Sequence, residues 1–396
     1  MTEFSLHMIN ERRALEHLLA LLEIEGLSGQ EGNVAAEIRR RLGEAGCKDS
    51  WIRHDNAHRR IGHGYQVGNL IVRLPGRGTR RREPRRLFSG HMDTVPLCRG
   101  AVPKVVDGRI VSEGATALGG DNRTAVAALV TVVESLLIHE LSRPPLTFLF
   151  TVGEEVGLEG SKAVDLKDLG DPALGFNVDG GHPDFAVIGA IGADRWQARV
   201  HGRSSHAGVH PEHGISATLI ASRAIADVAE QGFFGSILID GRYGTSNVGT
   251  FSGGEASNQV TDYVVVTGEC RSHSKAFLRT ITSAYRQAFM RAAHGVQNNR
   301  GERGRAEFVA ERDYNAFTMS ERSEPVRRAK TAIEMLGGLP KLAIVNGGLD
   351  ANYLNSKGVP TVSLGAGQHN PHTVDEYVDI EEYLDGCRLL TLLAAS

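Results

Sequence analysis

One pattern of alternation nested inside another restricts the fold of this chain more than any other feature. Up to about residue 189, short apolar stretches take turns with amphipathic ones. "NLIVRL" (69–74) and "RLFSG" (86–90) read as strands, and "DNRTAVAALVTVVESLL" (121–137) repeats Val126, Leu129, Val130, Val133, Leu136 and Leu137 at helical spacing. "LTFLFTV" (146–152) and "LGFNVD" (174–179) are strands again. Such alternation predicts a mostly parallel mixed sheet covered by helices. From 190 the pattern changes: "DRWQARVHG" alternates, "ISATLIASRAIADVAEQG" is helical, and "TSNVGTF" and "DYVVVTGECR" are strands. "KAFLRTITSAYRQAFMRAA" and "RAEFVAER" complete a β-α-β-β-α-β order, the split βαβ arrangement of a small α+β domain. With "EPVRRAKTAIEMLGG" and "PTVSLGAG" the first pattern resumes. The expectation is an α/β domain built from residues 1–189 and 313–396, interrupted by a smaller domain over 190–312. A length of 396 residues agrees with two cores rather than one.

Three connecting segments carry their own expectations. "SGQE" (28–31) has the form of a capping box and predicts a helix running to Arg41. The charge run "GRGTRRREPRR" (76–86) reads as a solvated hairpin loop between two strands. The Gly-rich stretches "GAIGAD" (189–194) and, less clearly, "HGVQNNRGERG" (294–304) are candidate connections between the domains, the second reading better as a flexible loop.

Charge and cysteine content exclude several classes. A formal net charge of −3 gives no reason to expect nucleic acid or an anionic membrane as a partner. The segment "MTEFSLHMINERR" lacks the apolar core of a secretory signal, and no apolar run reaches the ~18 residues of a membrane span. Cys47, Cys98, Cys270 and Cys387 are scattered, so neither a disulfide framework nor a cysteine metal site is expected. The expectation is a reduced, cytoplasmic protein.

In open α/β sheets, ligands bind beyond the carboxyl ends of the strands. At those ends stand His91 and Asp93, the adjacent Glu154 and Glu155, Asp179, and His372, with Asp121 at the start of the apolar helix. Two histidines with several carboxylates suit zinc, cobalt or manganese. A pair of divalent cations would also neutralise the two adjacent glutamates. Each residue has an ordinary reading too: an aspartate at a helix start is usually an N-cap, and one before two glycines can open a turn. Spacing alone does not decide between the two.

The motifs go further. "SGHMDTVP", "GGDNRTAVAAL", "TVGEEVGLEGSKA", "NVDGG", "GRSSHAGVHPEHGISA" and "GGLDANYLNSKGVPTVSLGAGQHNPHTVDEYV" resemble the M20 family of zinc peptidases, in order and over nearly the whole chain. They look most similar to its peptidase T (tripeptide aminopeptidase) branch. The resemblance implies a zinc-binding catalytic domain with an inserted ferredoxin-like lid that mediates homodimerisation, acting on short peptides. It implies that His91 and Asp179 hold one metal, Glu155 and His372 the other, and that Asp121 bridges them. Glu154 would be the general base, and Asp93 would hydrogen-bond His91 and fix its tautomer. His206 would stabilise the oxyanion, often from the partner subunit in such enzymes, and Asn247 and Arg271 would hold the substrate carboxylate.

The chain departs from the family pattern at 121–124, where it reads Asp-Asn-Arg-Thr instead of a run such as Asp-Asp-Lys. His369 competes with His372 for the ligand role, and the spacing to Glu376 favours His372. Other reactions remain open: a carboxypeptidase, a dipeptidase or an N-acyl-amino-acid deacylase would use the same metal centre. A non-catalytic relative is disfavoured by the presence of Glu154 together with a full ligand set. A dinucleotide-binding protein is disfavoured because "GAG" (365–367) lacks the full glycine fingerprint and opens no helix.

Overall fold

The computed structural model describes residues 9–62 and 64–396, so the first eight residues of the amino-terminal segment lie outside the described residues. Two compact units result: one runs to Gly189 and resumes at Thr318, and the other spans Ala190–Phe317. The smaller unit thus ends at 317 rather than 312, because its last strand continues to Tyr314.

In the larger unit the helix Glu11–Leu22 opens on Asn10, whose side chain accepts from the Arg13 amide. Strands β1 (Ile52–His54), β2 (Leu70–Leu74) and β3 (Arg86–His91) follow, then a short hairpin of β4 (Pro103–Val106) and β5 (Arg109–Ser112). The long helix Gly120–Ile138 leads to β6 (Leu146–Thr151), β7 (Leu174–Val178) and β8 (Phe185–Ala190). In the smaller unit come β9 (Gly192–His201), the helix Ala217–Glu230, β10 (Gly235–Ile239), β11 (Arg242–Gly253), β12 (Tyr263–Ser272), the helix Lys275–Gly295 and β13 (Arg305–Tyr314). The chain then forms β14 (Phe317–Thr318), the helix Glu324–Met335, β15 (Lys341–Val345) and the helix Asp350–Ser356. It closes with β16 (Thr361–Leu364), β17 (Gln368–His369), β18 (Tyr377–Asp379) and the helix Ile380–Ala395.

The main sheet has the order β1-β2-β6-β3-β7-β16-β8-β14, with β15 beside β8. Its centre is parallel (β6, β3, β7, β16), while β1, β2 and β8 run antiparallel to their neighbours. Every residue of β3, β6 and β7 is buried, as expected of parallel strands covered on both faces. Phe88 lies between Phe148 and Phe176, with ring centroids 5.5 and 5.2 Å away. The helix Gly120–Ile138 is apolar nearly all round and packs on β3 and on the first and last helices. This arrangement aligns the carboxyl ends of four parallel strands on one edge.

The smaller unit is a five-stranded antiparallel sheet, β10-β11-β12-β9-β13, whose core joins its inward residues to its two helices. It carries one strand more than the expected β-α-β-β-α-β order. The extra strand, β10, joins β11 through Asp240-Gly241, both at positive φ. Asp107-Gly108 makes the same kind of turn between β4 and β5. Aspartate-glycine at such a site favours the hairpin turn that matches strand twist. The segment 294–304 connects a helix and a strand inside this unit and is not a connection between units.

Two other expectations are corrected. The charge run 76–86 is no hairpin, because β6 lies between β2 and β3. Nor is it wholly solvated: Arg86 is buried and donates to the carbonyls of Leu393 and Ser396 at the end of the last helix. The "SGQE" segment does not cap its helix, which begins at Gly32; Ser28 and Glu31 are turned to other uses.

Candidate metal centre

Four of the five expected ligands and the expected base stand at the end of a central strand or at a helix start, and His372 comes from a loop outside the main sheet. His91 ends β3, Glu154 and Glu155 follow β6, Asp179 follows β7, and Asp121 opens the long helix. His372 lies beyond β17, its backbone at φ +63°. Ligand atoms of His91, Asp121 and Glu155 lie within 4.8 Å of one another. His91 Nε2 is 3.1 Å from Asp121 Oδ1, and His372 Nε2 lies 3.3 Å from Asp121 Oδ2 and 2.9 Å from Glu155 Oε1. Asp121 therefore stands between the two imidazoles. His369 takes no part: its Nε2 meets Glu382 at 2.7 Å and its ring stacks on Tyr377.

Asp93 does more than face His91. His91 Nδ1 is 3.0 Å from the Asp93 carbonyl oxygen and 3.4 Å from its carboxylate. The carboxylate itself accepts from the Glu154 amide (3.0 Å), the Glu155 amide (3.2 Å) and the Ser28 hydroxyl (2.7 Å). One buried side chain thus fixes the backbone that presents both glutamates.

Several residues that spacing and motifs did not single out support the centre. Glu376 accepts from the amides of Leu118, Gly119 and Asp121 at 2.7, 2.8 and 2.9 Å, which holds the turn carrying Asp121. Glu31 accepts from the amides of Gly29 and Gly153. Gln368 accepts from Thr124 and lies 3.5 Å from Asp179, and Asn122 donates to the Val178 carbonyl. Asp350, buried and bonded by Thr151, adds another carboxylate whose charge acts on Glu154 and Asp179. Glu376 lay inside a recognised motif, but three amide contacts leave no mark in a linear sequence.

The electrostatics are those of too many acids in too little water. Burial holds the Glu154 and Asp179 carboxyls well above the usual range, and burial raises Glu155 and Asp350 as well. Burial also pushes Asp121 upward, but hydrogen bonds from His372 and His91 outweigh it and hold this carboxyl low. His372 is pushed up to about 10 by its hydrogen bonds to Asp121 and Glu155. Burial lowers His91, but hydrogen bonds to Asp121 and Asp93 outweigh it and raise this imidazole too, so both histidines are drawn toward the charged form beside the acids. Divalent cations would supply that charge through the same nitrogen and oxygen atoms, a donor mix suited to zinc, cobalt or manganese.

The remaining expected residues belong to the smaller unit. His206 is exposed in the loop after β9, and the Gly208 amide lies 3.2 Å from its Nδ1. Asn247 on β11 faces Glu269 on β12 across the ladder and lines a cavity of about 600 Å3 with Trp196. Arg271 forks onto Glu269, at 2.9 and 3.1 Å, so a carboxylate of the protein already occupies its guanidinium.

Among the described residues no helix is long and apolar enough to cross a membrane, and all four cysteines are buried and unbridged. A sequence profile described as peptidase family M20/M25/M40 matches residues 87–396. The protein YqjE of Bacillus subtilis (strain 168), whose name marks it uncharacterized, is 32% identical over 387 residues, 98% of each chain. The crystal structure of aminopeptidase PepT from Bacillus cereus ATCC 10987 superposes with a TM-score of 0.83 at 30% identity, covering 98% of this chain and 99% of that one. A tripeptidase from Staphylococcus aureus gives a TM-score of 0.86 at 28% identity over 98% of both chains.

Proposed function

Because this chain belongs to peptidase family M20/M25/M40, we propose that it is a metal-dependent aminopeptidase that releases the first residue of tripeptides. One observation carries the reading. Past the parallel strand ends, Asp121 stands between His91 and His372, with Glu154 and Glu155 presented side by side. Similarity along the full length to an aminopeptidase and a tripeptidase supports the substrate class.

In this reading His91 with Asp179 and Glu155 with His372 would hold two divalent ions, zinc being favoured with cobalt and manganese as alternatives, and Asp121 would serve both. Such ions, when bound, supply an acidified water and polarise the scissile carbonyl. The chain's own residues do the rest. Glu154 takes the proton of the attacking water and returns it to the leaving amine. Asp93 keeps the Glu154 backbone from shifting as the proton moves. The protein acts as a homodimer joined through the smaller unit, and the partner subunit's His206 donates to the oxyanion. Asn247 helps hold the peptide's carboxylate. Arg271 contributes once Glu269 gives way.

The test is a zinc-loaded hydrolysis assay read by mass spectrometry. It uses free tripeptides, the same peptides N-acetylated, dipeptides and N-acetyl amino acids, with Glu154→Gln as the blank. Release of the first residue from free tripeptides alone is the expected outcome. Cleavage of acylated compounds, or of C-terminal residues, would move the protein to a deacylase or carboxypeptidase reaction. Glu154→Gln should lose turnover and keep its zinc; loss of zinc would make Glu154 a ligand instead.

A further inference from the structure

The segment 206–213 contains three histidines, and the proposed reaction gives a role to His206 alone. The other two belong to a 3-10 turn over Pro211–His213, which His210 opens. In such a turn the side chains at i and i+3 eclipse. His210 and His213 accordingly lie one over the other, ring centroids 4.7 Å apart at an interplanar angle of 16°. Glu212 reaches both: its Oε1 is 3.2 Å from His210 Nδ1 and 3.6 Å from His213 Nε2. One ligand atom from each of the three lies within 4.8 Å of the others. Among the described residues these two imidazoles are the only ion-pair partners of Glu212.

The backbone beneath them is held from several sides. The His210 amide donates to the His206 carbonyl (3.0 Å), and the His210 carbonyl accepts from the Ser205 hydroxyl (2.7 Å). The Glu212 carbonyl accepts from the Asn299 amide (2.9 Å), and that of His213 from the Asn298 side chain (3.2 Å). The side chains, by contrast, are free to rotate, since His210 and Glu212 are exposed and His213 is half-buried. That freedom matters: stacked rings point their lone pairs side by side and must turn inward to share an ion.

We propose that His210, Glu212 and His213 bind one divalent transition-metal ion of the zinc class, at a site within the smaller unit that shares no residue with the candidate centre of the larger one. Zinc bonds to imidazole nitrogen and carboxylate oxygen are about 2.0–2.2 Å long, so tetrahedral ligand atoms stand roughly 3.4 Å apart. The two separations to Glu212, 3.2 and 3.6 Å, already match that spacing, and the distance between the two ring nitrogens closes as the rings turn. Three protein ligands leave a fourth position for water, and two imidazoles select against magnesium and calcium. The bound ion ties residues 210–213 into one unit, at the turn whose first amide closes on the His206 carbonyl.

The test measures the zinc held by the full-length protein after equilibrium dialysis at micromolar free zinc, read by plasma mass spectrometry. The native protein should hold one equivalent more than His210→Ala/His213→Ala. Glu212→Gln keeps both rings and should lose part or all of the same equivalent. Because the readout is a difference, it stands whatever number of ions the larger unit holds. Dialysis against magnesium should reveal no difference between native and variant chains. Crystals soaked in zinc should show an anomalous peak between the three side chains. Equal zinc content in the native protein and both variants, or no peak at these side chains, would leave an ordinary histidine–glutamate ion pair and would overturn the proposal.

Discussion

Replacing Glu376 by glutamine tests whether the turn before Asp121 depends on a carboxylate. In the native protein Oε2 serves two amides, Leu118 and Gly119, and Oε1 serves the third, that of Asp121 itself. Glutamine has one acceptor oxygen. The rotamer that keeps two bonds sets that oxygen beneath Leu118 and Gly119, and places an NH2 group against the Asp121 amide. Hydrogen bonds to a charged acceptor contribute roughly 1.5–3 kcal/mol, against about 1 kcal/mol for neutral pairs. Losing one and weakening two therefore costs roughly 2.5–7 kcal/mol in a site where Glu376 is 2% exposed. The relief is a displaced Asp121, so the cost falls on metal binding. Substitutions behind metal ligands typically lower affinity about 10–100-fold. A competition titration against a fluorescent zinc chelator reads that change directly, with the unfolding midpoint of the metal-free protein measured alongside. A Glu376→Gln protein that unfolds earlier yet binds zinc as tightly as the native chain would refute the idea that these three amides position Asp121.

Two other buried carboxylates, Asp93 and Glu134, give further outcomes. Asp93→Asn must set an NH2 group against the Glu154 amide or against Glu155 and Ser28; kcat should fall by roughly 10–100-fold with KM little changed, and a change confined to KM would count against a positioning role. Glu134 joins His17 (3.0 Å) and Arg13 (2.9 Å), whose hydrogen bonds outweigh the effect of burial and hold its carboxyl below the usual range. A carboxyl lowered on folding contributes stability above its unfolded value of about 4.3 and loses it as pH falls further. Glu134→Gln should then be destabilised at pH 7 and converge on the native protein below about pH 4, as urea unfolding at the two pH values would show.

What could be read from the sequence was what local chemistry announces. Strand ends and the start of the Gly120–Ile138 helix are marked by abrupt changes of pattern, so His91, Asp121, Glu154, Glu155, Asp179 and His372 could be gathered before any coordinates. Resemblance assigned their roles. Contacts between distant segments were not legible. Ser28 in a capping-box spacing looks like an N-cap, yet its hydroxyl bonds Asp93, because the chain delays the helix to Gly32. The arginine-rich run looks solvated until Arg86 is seen to close the last helix. Its flanking strands look paired until β6, far along the chain, inserts between them. The Asp-Gly turns at 107–108 and 240–241 are hard to read for a different reason: the strands they join are half exposed and lack a strong apolar pattern.

Asp121 comes early in the chain, but both His372 and the Glu376 that steadies its turn come after the interrupting unit. At a synthesis rate of about 5–20 residues per second, the interval between the emergence of Asp179 and that of His372 is on the order of 10–40 s. During that time the nascent chain presents His91 and a set of acids without their last partners. The interruption thereby acts as a delay, in which the smaller unit can complete its own sheet before the segment bearing His372 and Glu376 exists.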